Sequence, residues 1–342
     1  MRPLVRLVRL LALTFSAALA LVNCSGGGGG GAASANAPVP AGGPSNGGNS
    51  APAAGTIYIL NGTNQVAAFP PNSGTYPTAQ LVFTSSVLSN PTSLVVDAAG
   101  RAYVAQSPNI YSFTYASYAS QVQVSPATTL TSVGEPVGLA LDSSGDLVAT
   151  DAVNNAVDFF SPGANGAATP LKSIAGGNTQ LNAPYQAGFD GAGNLYVLNH
   201  SANSVTVYSA SSIAGSGTMN VAPIATITSS ASAIDDANAL VIDSTGKIYV
   251  GNGGNTTISV FTNANGPQTP LATLTGGSGG NLKFGCVCQS SLTVDGTNNL
   301  YIGGEADPDV LVMSSVTSSS ATPAVTMQLP SFTYIRGVSV VP

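Results

Sequence analysis

Few residues of this chain have the chemistry of catalytic or metal-binding groups. Its 342 residues include one histidine, His200, together with three cysteines and 14 acidic residues. A metal site built from several histidines is therefore excluded within one chain. His200 follows a short apolar run and precedes an Asn-containing turn, which favours a polar surface role for it.

A second set of candidates lies in loops that do not repeat along the chain. Glu135 and the pair Asp235 and Asp236 carry carboxylates of the kind that bind Ca²⁺. Polar and aromatic residues in equivalent loops would complete a shallow ligand-binding site for a sugar, a peptide or a cation; these are Asn182, Tyr185, His200 and Arg336. The alternative is that the Asn and Asp residues only stabilise turns. No cofactor is expected, and the one metal considered is calcium.

Cys286 and Cys288 form a Cys-x-Cys pair whose state the sequence leaves open. Residues i and i+2 of an extended strand are about 6.6 Å apart, which is marginal for a disulfide. In a loop the pair could close, and an oxidising compartment would favour this. The alternatives are two reduced thiols, or metal or redox chemistry.

The elements that position these residues belong to a repeat of about 45–53 residues. Each copy contains one β run, an Asp-x-x-Gly turn, a second run centred on Tyr in most copies, an Asn-rich turn, and two further runs. The second run occurs six times, as Ile57-Tyr58-Ile59, Ala102-Tyr103-Val104, Leu147-Val148-Ala149, Leu195-Tyr196-Val197, Ile248-Tyr249-Val250 and Leu300-Tyr301-Ile302. Four short strands per repeat are typical of a propeller blade. The sequence therefore predicts an all-β fold, a six-bladed β-propeller of four-stranded blades.

The order of the runs predicts how the ring closes. The domain begins at Thr56 with a second run and ends at Gly337–Val341 with a first run. We therefore expect the C-terminal strand to complete the N-terminal blade, which removes an open sheet edge. The Asp residues that open the five Asp turns are interpreted as structural, because a carboxylate accepts turn N–H groups; they are Asp97, Asp142, Asp190, Asp243 and Asp295.

The N-terminal segment predicts export. Residues 1–23 combine Arg2, Arg6 and Arg9 with an apolar stretch too short for a comfortable membrane span, as in a signal peptide. Residues 24–55 are almost entirely Gly, Ala, Ser, Pro and Asn, which indicates a disordered tether. Residues 56–342 form the propeller domain.

The charge balance excludes one class of partner. After residue 23 the chain has five basic residues and all 14 acidic ones. Such a body has no attraction for phosphate backbones, so a nucleic-acid partner is not expected. Contact with a membrane is expected only through an N-terminal lipid.

Two resemblances add to this interpretation. Leu21-Val22-Asn23-Cys24 resembles the lipobox of bacterial lipoproteins, which implies lipidation of Cys24 and an outer-membrane or cell-surface location. The alternative is cleavage after Ala20 and a periplasmic or secreted protein. The unit Pro136–Val148 resembles an NHL repeat, a group distantly similar to the gluconolactonase-like propellers. The resemblance implies a six-bladed propeller and allows either enzymes or binding modules.

The residues favour a non-catalytic binding or interaction module over an enzyme. Its ligand, an unknown protein, peptide or glycan, is expected on the loop face around the central channel, and the protein is expected to be a monomer. The alternatives are a metal-dependent lactonase-like hydrolase, which the family resemblance implies, and a structural protein of the cell envelope.

Overall fold

The structure is a computed structural model that describes residues 51–62, 64–119, 122–229, 233–263, 265–276, 282, 291–304, 308–314, 316–332 and 334–342. Cys24, Cys286 and Cys288 lie outside the described residues, as do the predicted signal peptide and most of the predicted tether. Among the described residues, no helix is long and apolar enough to cross a membrane.

The regular secondary structure of the described chain is β-strand, apart from a single four-residue helix, α1 (Tyr115–Tyr118). In chain order the strands are β1 (Ile57–Asn61), β2 (Gln65–Phe69), β3 (Leu81–Thr84), β4 (Ser93–Val96), β5 (Ala102–Gln106), β6 (Asn109–Phe113), β7 (Thr128–Leu130), β8 (Pro136–Leu141), β9 (Leu147–Asp151), β10 (Ala156–Phe160), β11 (Lys172–Ala175), β12 (Pro184–Phe189), β13 (Leu195–Asn199), β14 (Ser204–Tyr208), β15 (Gly217–Met219), β16 (Ala225–Ser229), β17 (Ala237–Ile242), β18 (Ile248–Asn252), β19 (Thr257–Phe261), β20 (Gly266–Gln268), β21 (Ala272–Thr275), β22 (Leu292–Val294), β23 (Leu300–Ile302), β24 (Val310–Met313), β25 (Val325–Met327) and β26 (Ile335–Val340).

These strands form six separate sheets, which are the blades of a β-propeller. From the inner to the outer strand, blade 1 is β26-β1-β2-β3, blade 2 is β4-β5-β6-β7, blade 3 is β8-β9-β10-β11, blade 4 is β12-β13-β14-β16, blade 5 is β17-β18-β19-β21 and blade 6 is β22-β23-β24-β25. The six-bladed, four-stranded architecture expected from the repeat is confirmed.

Blade 1 is closed by the two ends of the domain. β26 pairs antiparallel with β1, with Val338 opposite Ile59. Two further backbone bonds extend the pairing, from the Gly55 N–H to the Val341 carbonyl at 2.8 Å and from the Val341 N–H to the Thr56 carbonyl at 3.0 Å. The predicted closure by the C-terminal strand is therefore confirmed.

The outer edges of the blades are covered in a way the sequence did not reveal. β15, in a connection of blade 4, adds a parallel fifth strand to β11 of blade 3, and β20, in a connection of blade 5, does the same for β16 of blade 4. Isolated bridges continue the pattern, joining Leu130 to Gly166 and Thr84 to Gln123. Since an unpaired edge strand is a template for aggregation, this overlap protects the rim and ties each of these blades to its neighbour.

The core lies between neighbouring blades. Tyr196 and Val207 of blade 4 pack in one cluster with Leu240, Val250 and Phe261 of blade 5. Every one of these side chains is at most 3% exposed. Burying a side chain of this size contributes about 1.5–3 kcal/mol, so the contact between these two blades contributes substantially to stability.

The Asp-x-x-Gly turns show why their acids are structural. Oδ1 of Asp243 accepts hydrogen bonds from Thr245 and Lys247, and Oδ2 accepts one from the Tyr249 hydroxyl at 3.0 Å. Burial alone would raise the pKa of Asp243, but these hydrogen bonds outweigh it and hold the pKa below its usual value. The Tyr of the second strand thus anchors the turn that precedes it.

Candidate functional site

The candidate site lies on the channel-mouth face, defined here by the described connections that lead into inner strands and by the described turns between the second and third strands of the blades. Blades 3, 4 and 5 contribute to it. Glu135 precedes β8, Tyr185 lies at the start of β12, Asp235 and Asp236 precede β17, and His200 follows β13.

Tyr185 and His200 form the centre of the site. Their rings are stacked, with centroids 4.1 Å apart and an angle of 9° between the planes. His200 Nδ1 lies 3.0 Å from the carbonyl oxygen of Ala237, and Nε2 lies 3.3 Å from Oδ1 of Asp236. Both ring nitrogens therefore lie within reach of oxygen atoms. The contact joins blade 4 to blade 5.

The backbone holds Asp235 and Asp236 in place. The Asp235 N–H donates to Oδ1 of Asn252 at 3.0 Å, and the Asp236 carbonyl accepts from the Gly253 N–H at 3.1 Å. Asp236 has a φ of 49°, a left-handed conformation that Asp tolerates better than most residues. The turn thereby directs the Asp236 carboxylate towards His200.

Tyr185 is 5% exposed, yet within the described part of the chain its hydroxyl has no hydrogen-bond partner. Burial raises the pKa of Tyr185, and the carboxylates of Glu135 and Asp236 raise it further. The hydroxyl therefore lies within the field of acids from two different blades and stays protonated at neutral pH.

Glu135 connects this cluster to a cavity between blades 2 and 3. Its N–H donates to Oδ1 of Asp151 at 3.2 Å, and its carbonyl accepts from the Ala152 N–H at 3.1 Å. Burial, followed by the Asp151 carboxylate, raises the pKa of Glu135. The cavity has a volume of about 160 Å³, and Glu135 lines it together with Ser89, Asn90, Thr92, Gln106, Ser107, Pro136 and Val137.

A recurring hydrogen bond from a side chain to the backbone builds this face, and it was not predicted from the sequence. The last residue of the second strand accepts backbone N–H groups of the connection that enters the inner strand of its blade. The examples are Gln106 with Ser89 and Asn90, Asp151 with Gly134, Asn199 with Asn182, and Asn252 with Asp235. The signal in the sequence is an Asn, Asp or Gln at the end of each of these strands.

Four of the seven predicted ligand-binding residues come together, namely Glu135, Tyr185, His200 and Asp236. Asp235 is adjacent to them in the same turn, and Asn182 lies exposed in the loop before Tyr185. Arg336 does not join them. It lies on β26 of blade 1, with its guanidinium 5.3 Å from the centre of the Tyr334 ring.

The acids of the cluster have few basic partners. Of Glu135, Asp235 and Asp236, the described structure places only Asp236 within 4 Å of a basic side chain, that of His200. Within the described residues, no group of three or more His, Cys, Asp or Glu side chains is placed to hold a metal ion. The arrangement is therefore a negatively charged surface with a buried aromatic centre.

Comparison with known proteins supports the fold. No protein-family model matches the chain, and no curated protein sequence matches it. Solved structures do match. A protein of unknown function from Bacteroides caccae is 11% identical over 84% of this chain and 98% of that chain, with a TM-score of 0.54.

Two further propeller structures are similar. One chain of a nidogen–laminin complex is 17% identical over 83% of this chain and 97% of that chain, with a TM-score of 0.55. The WD40 β-propeller domain of Doa1 is 11% identical over 81% of this chain and 86% of that domain, with a TM-score of 0.50. At these identities the likeness shows the fold, which is compatible with a binding module.

Proposed function

We propose that this protein is an exported, lipid-anchored propeller that binds a peptide, protein or glycan on its channel-mouth face without catalysing a reaction. One observation supports this proposal most strongly: Glu135 lines a cavity and also lies near the cluster of Tyr185, His200 and Asp236. Pockets that combine a recess with a few convergent polar groups are the usual place for ligands. The rigid ring supplies a preorganised surface, because the loops are fixed by side-chain bonds such as that of Asn252.

The N-terminal sequence supports the export part of the proposal. A signal peptide over residues 1–23, lipidation at Cys24 and a tether over residues 24–55 would hold the domain away from a membrane. A flexible chain of about 30 residues reaches on the order of 30 Å. A ligand-binding face on such a tether is accessible to soluble and surface-bound partners.

Arrays of synthetic peptides and of glycans, probed with the labelled protein, test the binding function. Glu135→Gln and Asp236→Asn each remove one carboxylate from the channel-mouth face. Asp146→Asn is the matched control, because Asp146 lies in the turn between β8 and β9, at the opposite end of those strands from Glu135. We expect array ligands that bind the original protein and the control, but bind one or both site variants more weakly.

Two results would contradict the proposal. One is an array on which the protein binds nothing; the other is a set of ligands that all four proteins bind equally. A hydrolase is tested separately by the metal content of the purified protein and by turnover of lactones. One equivalent of a divalent metal together with a lactonase activity would replace the binding function by the lactonase-like alternative.

A further inference from the structure

The cavity beside Glu135 has the size of a single side chain. Its volume is about 160 Å³, whereas sites for whole drug-sized ligands are typically about 300–1,000 Å³. It therefore accepts one projecting group of a larger ligand rather than the ligand as a whole. The remainder of such a ligand would lie outside it, on the channel-mouth face.

The walls of the cavity are held in place by hydrogen bonds. Oε1 of Gln106 accepts the N–H groups of Ser89 and Asn90 at 2.6 and 2.9 Å, and its Nε2 donates to the Val87 carbonyl at 3.0 Å. The amide of Gln106 is thus used in fixing the wall. On the opposite side, the bond to Asp151 fixes the backbone of Glu135.

Among the described residues that line the cavity, Glu135 alone carries a charged side chain, and its charge is negative. The Glu135 carboxylate has no ion pair with any described residue. Its half-buried position and the nearby Asp151 both disfavour its ionised form, which raises its pKa. A cation placed against Glu135 would stabilise the ionised carboxylate. An anionic or a neutral apolar group would leave it uncompensated.

The remaining lining distinguishes between cations. Ser89, Asn90 and Ser107 also line the cavity; their side chains carry oxygen acceptors, and an ammonium group has three N–H bonds to donate. Pro136 and Val137 supply an apolar wall. A lysine side chain matches both features, because its methylene stem packs on apolar surface while its ammonium group is hydrogen-bonded.

We propose that this cavity binds the ammonium group of a lysine side chain in a peptide or protein ligand, with Glu135 as the counter-ion. The proposal rests on the binding function described above and names its ligand class. A peptide is favoured over an amino sugar because sugar rings bind on open aromatic faces. No aromatic residue is among those that line the cavity in the described structure, and Tyr185 of the neighbouring cluster is 5% exposed and stacked on His200.

NMR titration with the peptide acetyl-Ala-Lys-Ala-amide tests the proposal on the full protein. The same peptide with Nε-acetylated lysine keeps the stem and removes the charge. We expect Glu135→Gln, and lysine acetylation, each to weaken binding on the order of tenfold to a hundredfold, the range for loss of a charge-assisted hydrogen bond. Asp146→Asn, which removes the same charge elsewhere, should leave the affinity unchanged.

The outcomes separate this inference from the binding function itself. The inference is overturned if the lysine peptide does not bind, if the acetylated peptide or the Glu135→Gln protein binds equally well, or if glucosamine binds more tightly than the lysine peptide. Array ligands that lack an amine yet depend on Glu135 or Asp236 would overturn the lysine assignment alone. If no ligand depends on either residue, the binding function fails as well.

Discussion

Removal of residues 336–342 tests whether the ring depends on its C-terminal strand. The deletion removes the residues of β26 that pair with Ile57–Leu60 and the two bonds between the Gly55–Thr56 backbone and Val341. Val338 and Val341 are each 2% exposed. Val338 also approaches Gly303 of blade 6, so its loss affects a contact between blades as well as the sheet of blade 1.

The magnitude follows from these contacts. The two buried valines contribute about 3–6 kcal/mol together, and the two terminal backbone bonds contribute about 1–3 kcal/mol. The loss of about 4–9 kcal/mol compares with a total stability of about 5–15 kcal/mol for a typical domain. For a domain of this length the melting temperature falls by roughly 1.5–2 °C per kcal/mol, so we expect a decrease of about 6–18 °C or complete unfolding.

The assay is thermal unfolding followed by circular dichroism, with deletion of Pro342 alone as the control. Pro342 is exposed, so its removal should leave the melting temperature within error of the original protein. An unchanged melting temperature after removal of residues 336–342 would refute the closure argument. It would show that blade 1 is stable with three strands and an open inner edge.

Three further predictions concern single side chains. Tyr249→Phe removes a hydrogen bond to the buried Asp243 carboxylate. This should lower the free energy of unfolding, measured by urea denaturation, by about 1.5–3 kcal/mol. Because the pKa of Asp243 is lowered on folding, its stabilisation is present at neutral pH and is lost as pH falls below the usual carboxyl range; this acid dependence should be weaker in the variant. Burial raises the pKa of Asp158, so the contribution of this residue to stability falls as pH rises from below its usual pKa. The melting temperature of Asp158→Asn should therefore rise relative to that of the original protein between pH 4 and pH 7. A difference in melting temperature that does not change with pH would contradict this. Cys24→Ser should abolish incorporation of labelled palmitate in bacterial cells, and retained label would contradict lipidation at Cys24.

The six-bladed ring could be predicted from the sequence because the pattern that marks each blade is local and recurs along the chain. The Tyr-centred run and the Asp turn recur in most blades, and Tyr249 bonded to Asp243 shows the physical link between them. β15 and β20 were not foreseen. They are three residues long, and Gly217–Met219 and Gly266–Gln268 show no apolar alternation, so their pairing depends only on where the neighbouring blade places an open edge.

The sequence was enough to predict which face of the propeller carries the candidate site, but not which side chains of that face contact one another. The order of strands places Glu135, Tyr185, His200 and Asp236 at the same end of the propeller. Their stacking and ion pair depend on the twist and spacing of blades 3 to 5, which no local pattern encodes. Arg336 was included because its loop opens on the same face, but it belongs to blade 1 and contacts Tyr334 instead.

Binding of one array ligand to Glu135→Gln and to Asp146→Asn, measured side by side by calorimetry, shows whether the ligand binds at the end of the propeller where Glu135 lies. The two variants differ only in which end of the propeller loses a carboxylate. We expect weaker binding to Glu135→Gln and an unchanged affinity for Asp146→Asn. Equal affinities of the two variants would contradict a binding site that includes Glu135.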